Sequence, residues 1–432
     1  MSFLVTAAIV FSVLVTIQAA FTVYLMVYTW DQPEVFERAR APERFRPPTL
    51  SFTVLLPARH EEGVIHETIR RAVHLNYPPA LVEVVVICEA GDRGTIAEAE
   101  ATIADLAASG HRHVRLLVFD DGPINKPHGL NKGLAATRNE VVTIFDAEDD
   151  IHPDILNVVN TIMVEENVAV VQCGVQLMDY HSRWYSALNV LEYFFWFKSR
   201  LHFHARAGMI PLGGNTVFFR RSLLERLGGW DEHNLTEDAD IGLRISVLGE
   251  PVRVMYDDRY VTREETPPTL GHFIHQRTRW CQGFLQTLKK GDWRRLPTWR
   301  QRLLALYTLG FPSFQSLLAL YIPVSVYMMV AVKVPEVWAM VLLIPFYFLL
   351  THYVLSVIGL FEFAHAHGLR PRWWTPLQMA LAYIPYQWVL AYAALRAFVR
   401  ELRGVSNWEK TKHTGAHRAS RDAACVGPQG PS

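Results

Sequence analysis

Four stretches without one charged side chain, Met1–Trp30, Leu303–Val332, Val337–Phe361 and Trp373–Leu395, constrain this chain more than any other feature. Each reaches the roughly 20 residues that an apolar helix needs to cross about 30 Å of hydrocarbon. They sit toward the two ends and leave a middle of ordinary composition, which predicts a soluble unit set between membrane helices. The first run is too long for a signal-peptide core, has no basic flank before it and shows no small-residue cleavage site ahead of Trp30. A retained anchor is expected.

Basic residues orient such a chain. None precedes the first run, whereas Arg38, Arg40, Arg44 and Arg46 follow it. The positive-inside rule puts the amino terminus outside and the segment from Asp31 onward in the cytoplasm. Arg370 and Arg372 precede the last run, and Arg396, Arg400, Arg403, Lys410 and Lys412 follow it, so both its flanks read as cytoplasmic. With Pro376 and Pro385 inside, that run is expected to be re-entrant or to lie in the interface. The alternative is that Leu303–Val332, interrupted by Pro312 and Pro323, folds as more than one element. The expected units are an anchor over 1–30, a cytoplasmic domain over 51–295, membrane or interface helices over 301–400 and a cytoplasmic tail over 401–432. An integral protein of a bacterial-type plasma membrane is the expectation.

Lys plus Arg and Asp plus Glu number 42 each, so no basic excess supports a nucleic-acid partner. The cysteines, Cys88, Cys173, Cys281 and Cys425, form no C-x-x-C pair, which argues against a disulfide framework or a zinc site.

In the middle, "FTVLLPARHEEG", "VEVVVICEAGD", "VRLLVFDDG" and "EVVTIFDAEDD" are runs of Val, Ile and Leu that end in polar turns, with helical stretches between them. This alternation predicts an α/β fold with a parallel sheet covered on both faces. Ligands of such sheets bind beyond the carboxyl ends of the strands. Acids stand there, at Glu89/Asp92 and at Asp146/Glu148/Asp149, and a third group follows in "LTEDAD". No G-x-G-x-x-G follows the first strand and no P-loop motif occurs, so the usual dinucleotide and P-loop sites lose their support.

Asp146 and Glu148 are spaced to hold a hard divalent cation against a diphosphate. The bland alternative is an acidic loop in which Asp150 caps a helix starting near Pro153. Asp238 is a candidate general base, with Glu237 and Asp240 tuning it. Equally, "TEDADIGLR" reads as a helix start with Thr236 at the N-cap and acids favourable to the dipole. The two readings are compatible. "HFIHQRTRWCQGF", just ahead of an uncharged run, reads either as an interfacial belt of aromatics and snorkelling arginines or as a site pressed against a bilayer. The aromatic stretch "WYSALNVLEYFFWFKSRLHFHARAG" suits a helix at the interface or along an acceptor cleft.

These pieces, in order, resemble the membrane-embedded, inverting family-2 glycosyltransferases, the group of cellulose, hyaluronan and mannan synthases. The matching motifs are "LLPARHEE", "CEAGD", "KPHGLNKGL", "FDAEDD", "LGGWDEHNLTEDADIGLR" and "HQRTRW", spanning Thr53 to Gln282. The resemblance implies a GT-A-type, Rossmann-like domain inserted between transmembrane helices. It implies transfer from a UDP- or GDP-sugar to a growing β-linked polysaccharide, with Mg²⁺ or Mn²⁺ as cofactor. Pro57, Glu61, Glu89, Asp92, Lys126, Asn131, Asp146 and Arg279 are then donor-binding. Asp146 and Glu148 hold the metal, Asp238 is the catalytic base, and Glu237, Gln276 and Trp280 bind the acceptor.

Glu89 and Glu148 stand where the family has aspartates. "SNWEKTKHTG" resembles the gating segment of plant mannan and glucomannan synthases through Trp408 and Thr411, with His413 in place of its lysine. The expected partners are a nucleotide sugar, a glycan or lipid-linked acceptor and membrane lipids. Single transfer to a lipid carrier and a catalytically silent membrane scaffold are the alternatives.

Overall fold

The computed structural model describes residues 3–332 and 335–407. An uncharged helix, α1 (Phe3–Asp31), leads through α2 (Pro33–Ala39) into the sheet. The first strands are β1 (Phe52–Ala58), β2 (Val82–Glu89), β3 (Val114–Phe119) and β4 (Val141–Ile144). They alternate with α3 (Ile65–Val73), α4 (Arg93–Ala108) and α5 (Lys126–Ala136). All four pair in parallel, in the spatial order β3-β2-β1-β4. After α6 (Ile155–Glu165) the sheet continues with β5 (Val170–Cys173); β6 (Val175–Leu177) leaves it.

Helix α7 (Ser186–Phe195), a wide turn over Trp196–Arg200 and α8 (Leu201–Ala207) form one aromatic rod. Then follow β7 (Val217–Arg220), α9 (Arg221–Leu227), α10 (Glu237–Val247), β8 (Val252–Met255) and β9 (Thr262–Glu264). The full sheet runs β3-β2-β1-β4-β7-β5-β8, with β6 and β9 as a separate parallel pair. The expected parallel sheet is therefore modified: β7 runs antiparallel between β4 and β5.

Side chains alternate across a strand, and this sheet uses both faces. Phe52, Val54, Leu56, Val84 and Val86 enter one core with α3, α4 and α6. Leu55, Val85 and Ile87 enter another that runs without a break into the carboxyl-terminal helices through Leu360, Phe363, Tyr383 and Tyr386. The sheet half of the molecule is thus not a tethered globe; its core continues among the long apolar helices. Asp150 does not cap α6. It pairs with Arg71 and bridges to Arg263, and Asp154 occupies the N-cap position.

The remaining helices are α11 (Leu270–Lys290), α12 (Trp299–Val330), α13 (Glu336–Ala366) and α14 (Thr375–Leu402). Leu303–Val332 does not split at its prolines: α12 is one helix through Pro312 and Pro323, started by a Thr298–Gln301 capping box. The last uncharged run is likewise one helix from Thr375 onward, 28 residues long. Among the described residues, two helices, Val5–Asp31 and Glu336–Ala366, are long and apolar enough to cross a membrane.

Helix α11 is the junction. It is capped by Thr269, whose side chain accepts from His272 N, and it crosses the start of α10 at Gly283. A Cβ on Gly283 would stand 2.6 Å from Thr236 N, so only glycine allows the two backbones this close. Its far end is tied to α14 by Lys289–Glu401 at 2.6 Å and by Gln282 Nε2 donating to Val405 O at 2.7 Å. Gly283→Ala is accordingly expected to destabilise the fold by about 1–3 kcal/mol, the usual overpacking cost. The measurement is thermal unfolding of the purified protein in detergent; an unchanged Tm would show that α10 and α11 do not touch.

Candidate functional site

A single cavity of about 710 Å³ opens at the carboxyl ends of the strands. Its sheet side is lined by Pro57 near the end of β1, Glu61 just after it, Glu89 at the end of β2, Lys126 at the start of α5, and Asp146 and Glu148 after β4. Glu237 and Asp238 reach it from the first turn of α10, and Gln276, Arg279 and Trp280 from one face of α11. Eleven predicted positions, scattered over more than two hundred residues of chain, share one wall system.

Asp92 and Asn131 do not line the cavity. Asp92 is buried at the N-cap of α4, where it accepts from Thr95 N and His60 N. Those hydrogen bonds, against the opposing effect of burial, hold its carboxyl below the ordinary range. Asn131 clasps the Gly-Gly-Trp turn: it donates to Trp230 O at 2.9 Å and accepts from Trp230 N at 2.8 Å. Trp408 and Thr411 lie outside the described residues.

Charge at the cavity floor is concentrated. Lys126 Nζ meets Asp146 Oδ1 at 2.5 Å and Gly214 O at 3.1 Å, and lies 4.0 Å from Glu237 Oε1. Burial pulls the ammonium down, but Asp146 and Glu237 outweigh it and hold Lys126 above its usual range. Burial pushes Glu237 up to about 7, with Lys126 resisting and Asp238 adding to the rise. Asp238 is also raised, by burial, against the hydrogen bond it accepts from Ala239 N and the charges of Lys126 and Arg279. Its Oδ2 lies close against Gly214, where a Cβ would be 3.0 Å away. The α10 start does behave as a helix opening with acids in its first turn, yet Thr236 makes no side-chain cap bond. Of those acids Asp240 turns away to Arg244 and Lys290, at 2.8 Å each, while Asp238 stays facing the cavity.

Beneath Asp146 is a layer of which the sequence marked Asp149 alone, missing Asn215 and Glu264. Asp149 accepts from Asp146 N at 2.8 Å, and Asn215 Nδ2 bridges Asp149 and Glu264. Burial and then Glu264 drive Asp149 well above the carboxylate range. Asn215 follows the glycine pair Gly213–Gly214, the one local signal that could have flagged this loop. Along α11, Arg277 meets Glu192 at 2.6 Å and stacks over the Trp280 ring at 4.5 Å. Gln276 is 91 % buried by its neighbours, with Oε1 lacking a hydrogen-bond donor.

The cavity does not stop at this polar floor. It continues past Tyr193, Trp196 and Arg200 of the aromatic rod into a space among Gln18 and Thr22 of α1, Phe311 of α12, His352 of α13 and Tyr383 of α14. His202 and His204 stay out of it; burial drives them down, to about 3 and about 4 respectively, and His204 Nδ1 is satisfied by Met209 O.

The model of the family described as "Glycosyltransferase like family 2" matches residues 47–283, more than half of the chain. The chain belongs to that family. A β-monoglucosyldiacylglycerol synthase of Trichormus variabilis is 28% identical over 255 residues, 58% of this chain and 53% of that protein. A probable glucomannan 4-β-mannosyltransferase 2 of Oryza sativa subsp. japonica is 24% identical over 274 residues, 62% of this chain and 46% of that one. This glycosyltransferase thus spans about half the length of the curated relatives it matches. Its fold is similar to that of the mannosyltransferase PcManGT from Pyrobaculum calidifontis, solved in complex with GDP-Man and Mn²⁺. The TM-score is 0.53 at 21% identity, over 91% of this chain and 99% of that one. That likeness supports the GT-A fold expected from the motifs.

Raised carboxyls make a pH signature. Asp238 and Glu237 form a coupled pair, so the acid limb of the rate profile reports both. It is expected to fall above the ordinary carboxylate value of about 4. Lys126→Met removes a cation that lowers both groups, so the limb should move to higher pH, whatever happens to the maximal rate. A limb that stays in place or moves down would show that Lys126 does not act on this pair.

Proposed function

We propose that this family-2 glycosyltransferase transfers a sugar from a UDP- or GDP-sugar, with inversion, to a hydroxyl of a glycan acceptor presented from a membrane. One observation carries the reading: the acidic site at the strand ends and the space among α1, α12, α13 and α14 are one cavity. A donor entering at the sheet and an acceptor entering between the helices would meet at Asp238. The catalytic domain then faces the cytoplasm of an integral membrane protein, where nucleotide sugars are made.

Pro57, Glu61 and Glu89 line the donor end, and Arg279 carries the fork geometry that suits a diphosphate. Asp146 and Glu148 offer only oxygen ligands, which fits Mg²⁺ or Mn²⁺. Among the described residues no three His, Cys, Asp or Glu side chains gather as a metal cage, so the remaining positions would fall to donor phosphates and water. When bound, the ion neutralises charge on the diphosphate. Asp238 takes the acceptor proton while that oxygen attacks C1 from the face opposite the leaving group. Its raised basicity follows from burial, and Gly214 leaves it room. Gln276, with a buried amide oxygen free to accept, and Trp280, braced by Arg277, face the acceptor sugar.

The aromatic wall of Tyr193, Trp196 and Trp280 supports repeated addition to a β-linked polymer, because it can grip a glycan after the nucleotide has left. The diacylglycerol-directed name of a relative supports single transfer to a lipid instead. Product size from labelled donor separates the two. Asn407 is tied to Arg400, which itself meets Gln282 of α11.

Asp238→Asn is expected to keep nucleotide binding and lose about 10²–10⁴-fold in transfer rate, the share of a general base. Retention of more than about a tenth of the rate would make Asp238 a structural residue. Chelation should abolish turnover, and Asp146→Ala should weaken donor binding; full turnover in excess EDTA removes the metal role. Trp280→Ala should shorten the product more than it weakens nucleoside-diphosphate binding, whereas Arg279→Ala should impair nucleotide binding and rate together. Equal effects of the two variants on nucleotide affinity would sink that division of labour.

A further inference from the structure

We infer that Arg200 is an anion subsite for the acceptor, holding the phosphate of a lipid-linked glycan whose sugar reaches Trp280 and Asp238. The inference rests on the acceptor entering between the helices, as proposed above, and adds what that acceptor is made of.

Arg200 ends the wide turn between α7 and α8 and lines the cavity on its helix side. Its Nε is buried without a hydrogen-bond partner, and among the described residues no carboxylate forms an ion pair with it. Two neighbouring cations are matched by acids: Lys198 pairs with Glu362, and Arg277 with Glu192. Glu192 is the acid whose charge reaches Arg200, and it is already committed to Arg277. Arg200 is half-buried, and a cationic N–H held out of water without an acceptor costs free energy that an incoming anion would recover. Ionisable groups left in such surroundings are functional by default.

The donor diphosphate is not that anion. Arg279 is the arginine whose charge acts on Glu237 and Asp238; Arg200 acts instead on Tyr307 and His352, which belong to α12 and α13. Trp280 packs beside Tyr193, Arg277 stacks over Trp280 and pairs with Glu192, and the charge of Glu192 reaches Arg200, so a chain of neighbours links the Trp280 face to Arg200. Phe311, Phe348 and Leu349, with Thr22 and Tyr383, line the helix side of the same cavity. A phosphate suits the guanidinium fork, an aliphatic chain suits the helices, and a sugar on the phosphate suits the aromatic wall. In the transfer step the sugar hydroxyl, not the phosphate, is the nucleophile. Its oxygen forms the new bond to C1, its proton goes to Asp238, and the C1–oxygen electron pair leaves with the nucleoside diphosphate.

The test uses the full chain in phosphatidylcholine vesicles with a panel of labelled UDP- and GDP-sugars. Two acceptor series carry the same sugars, one on farnesyl phosphate and one on an uncharged octyl chain. Expected is transfer to the phosphate-linked series in preference, with Arg200→Gln raising KM for it by about 10–100-fold, the loss of charge-assisted bonds. Arg200→Lys should fall between. Calorimetric binding of nucleoside diphosphate by both variants reports that they fold; if Arg200→Gln does not, the wild-type preference and Arg200→Lys decide.

Equal use of charged and uncharged acceptors, or an unchanged KM in Arg200→Gln, overturns the inference and leaves the proposed function standing. Inhibition of transfer by added phosphatidylglycerol that Arg200→Gln relieves, with no preference for phosphate-linked acceptors, also overturns it, because Arg200 would then seat a lipid headgroup. Absence of transfer from every donor to either series, with nucleotide binding intact, would instead strike the proposed function itself.

Discussion

The contact of Gly283 with Thr236 is the joint on which this molecule depends. One side of it is α10, whose first turn carries Glu237 and Asp238; the other is α11, which carries Gln276, Arg279 and Trp280. Bringing two helices together at backbone distance leaves no room for a side chain to adjust between them. The acid of α10 and the aromatic of α11 are therefore held in fixed relation. Gly242 repeats the device on the other face of α10, where a Cβ would stand 2.8 Å from Leu212 N. The first turn of α10 is thus wedged between α11 and the loop that supplies Gly214.

Rigid placement has an electrostatic cost, and the distribution of cations answers it. Asp146, Glu237 and Asp238 line one cavity, with Glu237 buried and the other two half-buried. Lys126 touches the first and sits within reach of the second, and Arg279 acts on the latter two. The balance is partial, which is why Glu237 and Asp238 remain raised rather than depressed. An ionised acid that is raised by burial stands ready to take a proton. On the same helix turn Asp240 is instead held between Arg244 and Lys290, away from the cavity, so neighbouring carboxylates differ by their partners alone.

What was legible in the sequence was what local chemistry writes. Continuous Val and Ile runs marked β1 to β4, and acids at their ends marked the site, because strand ends and turns are short-range features. The antiparallel β7 was not legible: "VFFR" has no pattern that distinguishes its direction, which is set by the long excursion through α7 and α8. The prolines of α12 misled for a related reason. A proline breaks a helix only where the freed carbonyl and the lost bond go uncompensated, and neighbouring helices can carry one through. Asp92 and Asn131 sit in motifs with the right order, yet their side chains are spent on His60 and on the Trp230 turn. Order along the chain does not say which way a side chain faces. Arg200 was hidden for the opposite reason, since an arginine within an aromatic, histidine-rich run looks like an ordinary interfacial residue until its partners are counted.

The continuity of the second core gives these pieces a common logic. Because Leu55 and Ile87 of the sheet and Phe363 and Tyr386 of α13 and α14 belong to one packed body, no flexible linker separates the sheet from the helices. A hinge there would let the acceptor space and the acid site drift apart. Lys198 with Glu362, and Arg277 with Glu192, add paired charges across the same boundary. Breaking such a pair leaves an uncompensated buried charge, so relative movement is penalised more steeply than apolar contact alone would require. The Arg277 guanidinium also stacks on Trp280, so the same ion pair that ties α11 to α7 sets the plane of the ring that lines the cavity. Attachment of the sheet to the helices and aim of the site toward them are consequently one structural fact.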